Sequence, residues 1–143
     1  MLVQAILLPL FAQVLLVFAV GILMAKRRQD AFRAGTHFRD IALREPNWPK
    51  PALQAQYAYA NLFEMPVLFY VVVILAIVTR HADMVMVALA WIFVVFRCLQ
   101  AYIHVTSNRV RYRGMTFGVS TLVLMIMWAW LAIAIFIAAP VAS

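Results

Sequence analysis

Two sets of polar residues interrupt apolar stretches of this chain, and the spacing brings each set onto one side of a helix. The first set is Gln54, Tyr57, Asn61 and Glu64, at offsets of 3, 7 and 10 residues from the first. At about 100° per residue these fall on one narrow face. The second set is Arg97, Gln100, His104, Asn108 and Arg111. With Arg97 as zero, the other four lie at about −60°, −20°, +20° and −40° around an α-helix. Arg109 and Arg113 point away, at about 120° and 160°. An ionisable side chain at membrane depth is costly, so it marks a functional site with a partner to be named. Glu64 on one helix and Arg97 on another are natural partners.

These side-chain types suit the chemistry of an anion and of a thiol. Arg28, Arg97 and Arg111 would hold carboxylates through charge-assisted bonds. A nearby cation favours a thiolate, which is the nucleophilic form of a thiol. Arg111, at the end of the stripe, is placed to supply that charge. Histidine ordinarily titrates near neutrality, so His104 suits a general acid or base, and it suits a hydrogen-bond bridge equally well. The same residues also support a structural reading, in which Glu64 and Arg97 neutralise one another and fix helix register without chemistry. A small transporter would need Glu64 on a pathway, but the basic stripe opposite it favours an anionic ligand. No metal site is expected, because His37, His81 and His104 are far apart in the topology and Cys98 does not join them at a ligand spacing. Cys98 is the only cysteine. It excludes an internal disulfide and reads as a small packing residue.

The elements that must position these residues are membrane spans. The chain has 143 residues, 67% of them hydrophobic and 12% charged, with a mean hydropathy of +0.95. That balance would leave too much apolar surface in water. A spanning helix needs about 20 mostly apolar residues. Four stretches qualify: about 2–25, 53–78, 84–105 and 115–139. The polar stripe extends the third helix to about residue 113, so Arg97 and Arg111 would lie about 21 Å apart along its axis. The expected fold is a single all-α domain over residues 1–143, a four-helix transmembrane bundle. The first segment lacks a basic start and is long enough to span, so it reads as a span and not a cleaved signal.

Charge sets the expected orientation. The formal net charge is +7. Lys26, Arg27, Arg28, Arg33, Arg39, Arg44 and Lys50 gather in the loop at about 26–52, and Arg109, Arg111 and Arg113 follow the third span. Basic loops stay in the cytoplasm, which puts both termini on the periplasmic side. Arg109 and Arg113 are expected to reach the phosphates of membrane lipids. Nucleic acid is not an expected partner, since the charge is spread along membrane flanks and not gathered on a folded patch. Gln13, mid-span, is expected to bond to a neighbouring helix, and Gly21 to permit close helix approach.

The order of these features resembles the MAPEG family, the membrane-associated proteins of eicosanoid and glutathione metabolism. A first helix ends in Lys26-Arg27-Arg28, with Ala31-Phe32-Arg33 close behind. A second carries Asn61-x-x-Glu64. A tight turn follows, then a third helix whose polar face opens with Arg97 and ends in arginines. The resemblance implies a homotrimer with glutathione between subunits near the cytoplasmic face, acting on a lipophilic electrophile. It implies that Asn61 and Glu64 hold glutathione or brace its site. It matches Arg97 to the family's deep arginine and Arg111 to the one facing the thiolate. On this reading Arg28, Gln54, Tyr57, Asn61, Glu64, Arg97 and Asn108 bind glutathione, while Arg111 and His104 act on it. Tyr57 stands where many glutathione-using members carry arginine, and His104 where a tyrosine is common. The chain looks closest to divergent bacterial members, implying a bacterial inner membrane. The other reading is a non-catalytic accessory subunit of a larger membrane complex.

Overall fold

The computed structural model describes residues 3–36, 48–61, 65–107 and 109–138. The described residues form helices and short turns, with no strand among them. The helices are α1 (Val3–Arg33), α2 (Lys50–Asn61), α3 (Met65–Val78), α4 (Met84–Val105) and α5 (Val110–Ile133), the last continuing into a wider π-helical turn, Ala134–Ala138. Four stretches are long and apolar enough to cross a membrane: Val3–Arg33, Lys50–Val78, Met84–Val105 and Arg111–Ile137. The protein is an integral membrane protein with four spans.

Helix boundaries differ from the sequence expectation where local backbone chemistry overrides hydropathy. The first helix runs through its basic cluster to Arg33, well past residue 25. It stops at Gly35, whose φ of 106° closes a left-handed cap. The Thr36 N–H then bonds back to the Ala31 carbonyl at 3.1 Å and the Gly35 N–H to that of Phe32 at 3.1 Å, the two bonds of a Schellman motif. Lysine and arginine are good helix formers, so the helix outlives the apolar run. The second span begins at Lys50, with Pro51 in its first turn, where a missing N–H costs nothing.

The third span ends at Val105 and does not continue to 113. Thr106 leaves the helical region (φ −108°, ψ −93°) while its N–H still caps the Tyr102 carbonyl. Its hydroxyl donates to the same carbonyl at 2.6 Å. Arg109 is extended (φ −70°, ψ 118°) and starts the next helix. Threonine, serine and asparagine bond to nearby backbone and compete with helix continuation. The run Thr106-Ser107-Asn108 is therefore a stop signal, and α5 begins with a new rotational phase.

At the opposite end, α3 closes with a second Schellman motif. The His81 N–H reaches the Ala76 carbonyl at 2.8 Å and the Arg80 N–H reaches that of Ile77 at 3.2 Å. Arg80 occupies the left-handed position with φ 60°. Asp83 then caps α4, its Oδ1 accepting from the Met86 N–H at 2.9 Å. Its Oδ2 accepts from Trp130 Nε1 at 3.1 Å, which ties the turn to α5.

The core divides into two apolar clusters. The larger joins α3, α4 and α5 through Phe69, Val73, Met86, Phe93, Leu124 and Met127, and takes Ile6 from α1. Phe69 and Phe93 stack there at 4.6 Å between ring centroids. The smaller cluster joins Val20, Ala58 and Ala101. Between the two, α1 passes through the buried Gln13 and α4 through the buried Arg97 and Gln100. Among the described residues neither amide atom of Gln13 has a hydrogen-bond partner, so the expected bond to a neighbouring helix is not made within them. Cys98 is exposed and is not a packing residue of this core. Outward, Leu8, Phe11, Leu15, Phe18 and Ile22 make an exposed apolar stripe suited to lipid tails.

Two predictions follow from the backbone and its closest approach. A Cβ at Gly21 would meet Tyr59 Cε2 at 3.0 Å. Gly21→Val should therefore destabilise the α1–α2 contact by about 1–3 kcal/mol, read as a lowered midpoint in thermal unfolding of the detergent-solubilised protein. Arg80→Gly should raise that midpoint, because a non-glycine residue in the left-handed region costs about 1–2 kcal/mol.

Candidate functional site

Three helices converge at the end of the bundle that carries the basic segment. Arg27 of α1 gathers them: Nη1 donates to the Pro51 carbonyl at 3.0 Å, and Nη2 donates to the Val105 carbonyl at 2.9 Å. One guanidinium thus links the start of α2 to the end of α4, where helix carbonyls lack intrahelical donors. Arg28 adds a second tie, donating to Gln56 Oε1 at 2.8 Å. Its guanidinium also lies 5.0 Å from the ring centre of Trp48, and Trp48 meets Phe32 edge-on at 5.3 Å. Trp48 is therefore held by aromatic and cationic neighbours on the chain.

Deeper in the bundle, Arg97 is 2% exposed. Its Nη1 donates to Gln100 Oε1 at 2.8 Å. Its Nη2 donates to the main-chain carbonyl of Asn61, at the end of α2, at 2.9 Å. The guanidinium also lies 5.9 Å from the Phe93 ring centre. A charge in so apolar a setting persists only when its donors are met, and each of these contacts meets part of that need. Asn61 is thus fixed through its backbone, which leaves its side chain to face α4. Its Nδ2 stands 3.4 Å from His104 Nδ1.

These residues back a cleft of about 450 Å³ between α2, α4 and α5. Tyr57, Asn61, Gln100, His104 and Arg113 form its polar side, and Ala60, Gly114 and Phe117 its apolar side. A Cβ at Gly114 would meet nothing within 4 Å, so this wall is open. Behind the cleft, a void of only about 10 Å³ remains among Ala58, Asn61, Arg97, Gln100, Ala101 and His104. The layer around Arg97 is closely packed, and the room for a ligand lies in front of it. The polar residues lining the cleft offer N–H and O–H donors, with no carboxylate among the described ones. Such a lining suits an anion with an apolar portion.

The structure brings together Tyr57, Asn61, Gln100 and His104 as the spacing predicts, with Arg97 directly behind them. It sets Arg111 apart from them. That side chain is exposed on α5 and does not line the cleft. Arg113, expected to point toward lipid phosphates, lines the cleft beside His104 instead. The physical reason is the break after Val105, because rotational phase is not carried from α4 into α5, which starts at Val110. Arg28 does not line the cleft and is engaged by Gln56 and Trp48. Gln54 is half-buried and also lies off the cleft. Glu64 and Asn108 fall outside the described residues. Sequence reasoning also missed Arg27 as the tie between helices, along with the wall of Gly114 and Phe117. The run Thr106-Ser107-Asn108 was the available signal for the helix break, and so for Arg113.

No curated protein and no solved structure matches the chain. The family model described as MAPEG matches residues 6–133, nearly the whole sequence. With its four spans and the Asn61–Arg97 contact already in place, this protein belongs to the MAPEG family.

Proposed function

We propose that the cleft binds glutathione, or a chemically similar anionic thiol, and presents its thiolate to a lipophilic electrophile arriving from the bilayer. The observation that carries this reading is the donor-lined cleft that sets Arg113 and His104 against an apolar wall of Gly114 and Phe117. Membership of a family that includes glutathione transferases and peroxidases supports it.

The chemistry needs little from the protein beyond charge and position. The Arg113 guanidinium favours the thiolate over the thiol, and the released proton passes to solvent. The sulfur then attacks an electrophilic carbon, a C–S bond forms, and the leaving group departs with its electron pair. Gln100, Asn61 and Tyr57 orient the ligand through neutral hydrogen bonds. The open wall beside Phe117 admits the apolar substrate. In this proposal the protein works as a homotrimer in a bacterial inner membrane, with the basic segment and the cleft mouth toward the cytoplasm.

One observation favours a second reading. Arg28 and Arg97, both candidates for gripping a ligand, are bonded within the chain. That is the arrangement of a braced, non-catalytic accessory subunit. The two readings separate in one titration of purified protein with glutathione, followed by thiolate absorbance. The catalytic reading predicts saturable thiolate formation that Arg113→Ala weakens about tenfold or more, as loss of a charge-assisted bond would. Arg111→Ala should leave the affinity within about twofold, since an exposed cation contributes little. Absence of thiolate formation, or equal losses in the two variants, overturns the proposal. Co-purification with a larger membrane complex would then favour the accessory reading.

A further inference from the structure

Within the cleft, the contact between Asn61 and His104 carries information about where a proton sits. Asn61 Nδ2 is 3.4 Å from His104 Nδ1. An amide nitrogen only donates, so the ring nitrogen facing it must accept. A neutral imidazole whose Nδ1 accepts carries its hydrogen on Nε2. Arg97 Nη2 holds the Asn61 main-chain carbonyl at 2.9 Å, which fixes the backbone from which the amide reaches the ring. Arg97 is in turn braced by Gln100 Oε1 at 2.8 Å. The order of action therefore runs from the buried guanidinium to the end of α2, then to the amide, then to the ring.

We infer that Asn61 is a positioning residue that fixes His104 as its Nε2–H tautomer, so that the ring is a hydrogen-bond donor to the cleft. Arg97 acts one step further back, by fixing Asn61. With Nε2 as donor, His104 joins Arg113 in lining the cleft with N–H groups. The pair selects a ligand carrying two acceptor oxygens, or an acceptor oxygen and a sulfur anion, on its polar end. It rejects a ligand that presents an N–H at the position facing the ring, because two donors would then be opposed. This consequence for ligand choice rests on the anion-binding reading given above, whereas the tautomer does not.

The test is long-range proton–nitrogen correlation spectroscopy on ligand-free protein with 15N-labelled histidine, in detergent micelles near pH 8. The chain has three histidines, and His104→Gln assigns the relevant ring by loss of its signals. In the unsubstituted protein His104 should show a protonated Nε2 and an unprotonated Nδ1. Asn61→Asp replaces the amide donor by an acceptor, and should move the hydrogen to Nδ1. Asn61→Leu should give a mixture of both tautomers. A protonated Nδ1 in the unsubstituted protein overturns the inference without any variant, so a misfolded substitution cannot shelter it. A folded Asn61→Asp with the unsubstituted pattern overturns it as well. Because no ligand is present, failure here is distinct from failure to bind glutathione.

Discussion

A guanidinium buried between membrane-spanning helices constrains everything around it. Arg97 cannot be left with unmet donors where water is scarce, because the penalty for an unpaired buried charge amounts to several kcal/mol. The bundle answers with the side-chain oxygen of Gln100 and the main-chain carbonyl of Asn61. The second contact matters more for architecture. It pins the backbone of α2 to α4, so the two helices meet in one register at one depth. The same depth carries Gln13 from α1, and it divides an apolar cluster around Phe69 and Phe93 from a smaller one around Ala58 and Ala101. Two apolar masses separated by a polar layer can slide past one another only by breaking that layer, which is how a costly group gives specificity to an otherwise greasy interface.

The cleft is a consequence of that register. Once Asn61 is fixed, His104 faces its amide one turn along α4 from Gln100, and the start of α5 brings Arg113 to the same space. Arg27 closes the arrangement from α1 by holding the ends of α2 and α4 together. The division of labour among the arginines is clear in these terms. Arg27, Arg28 and Arg97 bond to helix carbonyls and side-chain amides, and Arg113 lines the cleft. Arg111 is exposed.

Much of this was legible in the sequence, and the rest was hidden for identifiable reasons. Four spans follow from hydropathy alone, because nothing else buries so apolar a chain. The common face of Gln100, His104 and Arg97 follows from helical spacing inside one uninterrupted helix, and Tyr57 and Asn61 follow in the same way. Spacing failed at Arg111 because it was extended beyond Val105, where Thr106 and its neighbours end the helix and α5 restarts with its own phase. Hydropathy failed at the end of α1 because lysine and arginine propagate a helix that apolar content would stop near Ala25. Arg27 was invisible as a tie because its partners are main-chain carbonyls, which no side-chain pattern reports. Gln13 shows the reverse case: a mid-span amide is easily seen, but its burial without a bonding partner among the described residues is not.

The account depends on Arg97 being bonded by its polar neighbours and not merely enclosed by the bundle. A double-mutant cycle with Arg97→Leu and Gln100→Leu, read as unfolding free energy in mixed micelles, measures the bond to Gln100 on the same helix directly. The account predicts a coupling of about 1 kcal/mol or more, since a charge-assisted bond in an apolar layer is lost once and not twice. Strict additivity of the two substitutions, within about 0.3 kcal/mol, would contradict it.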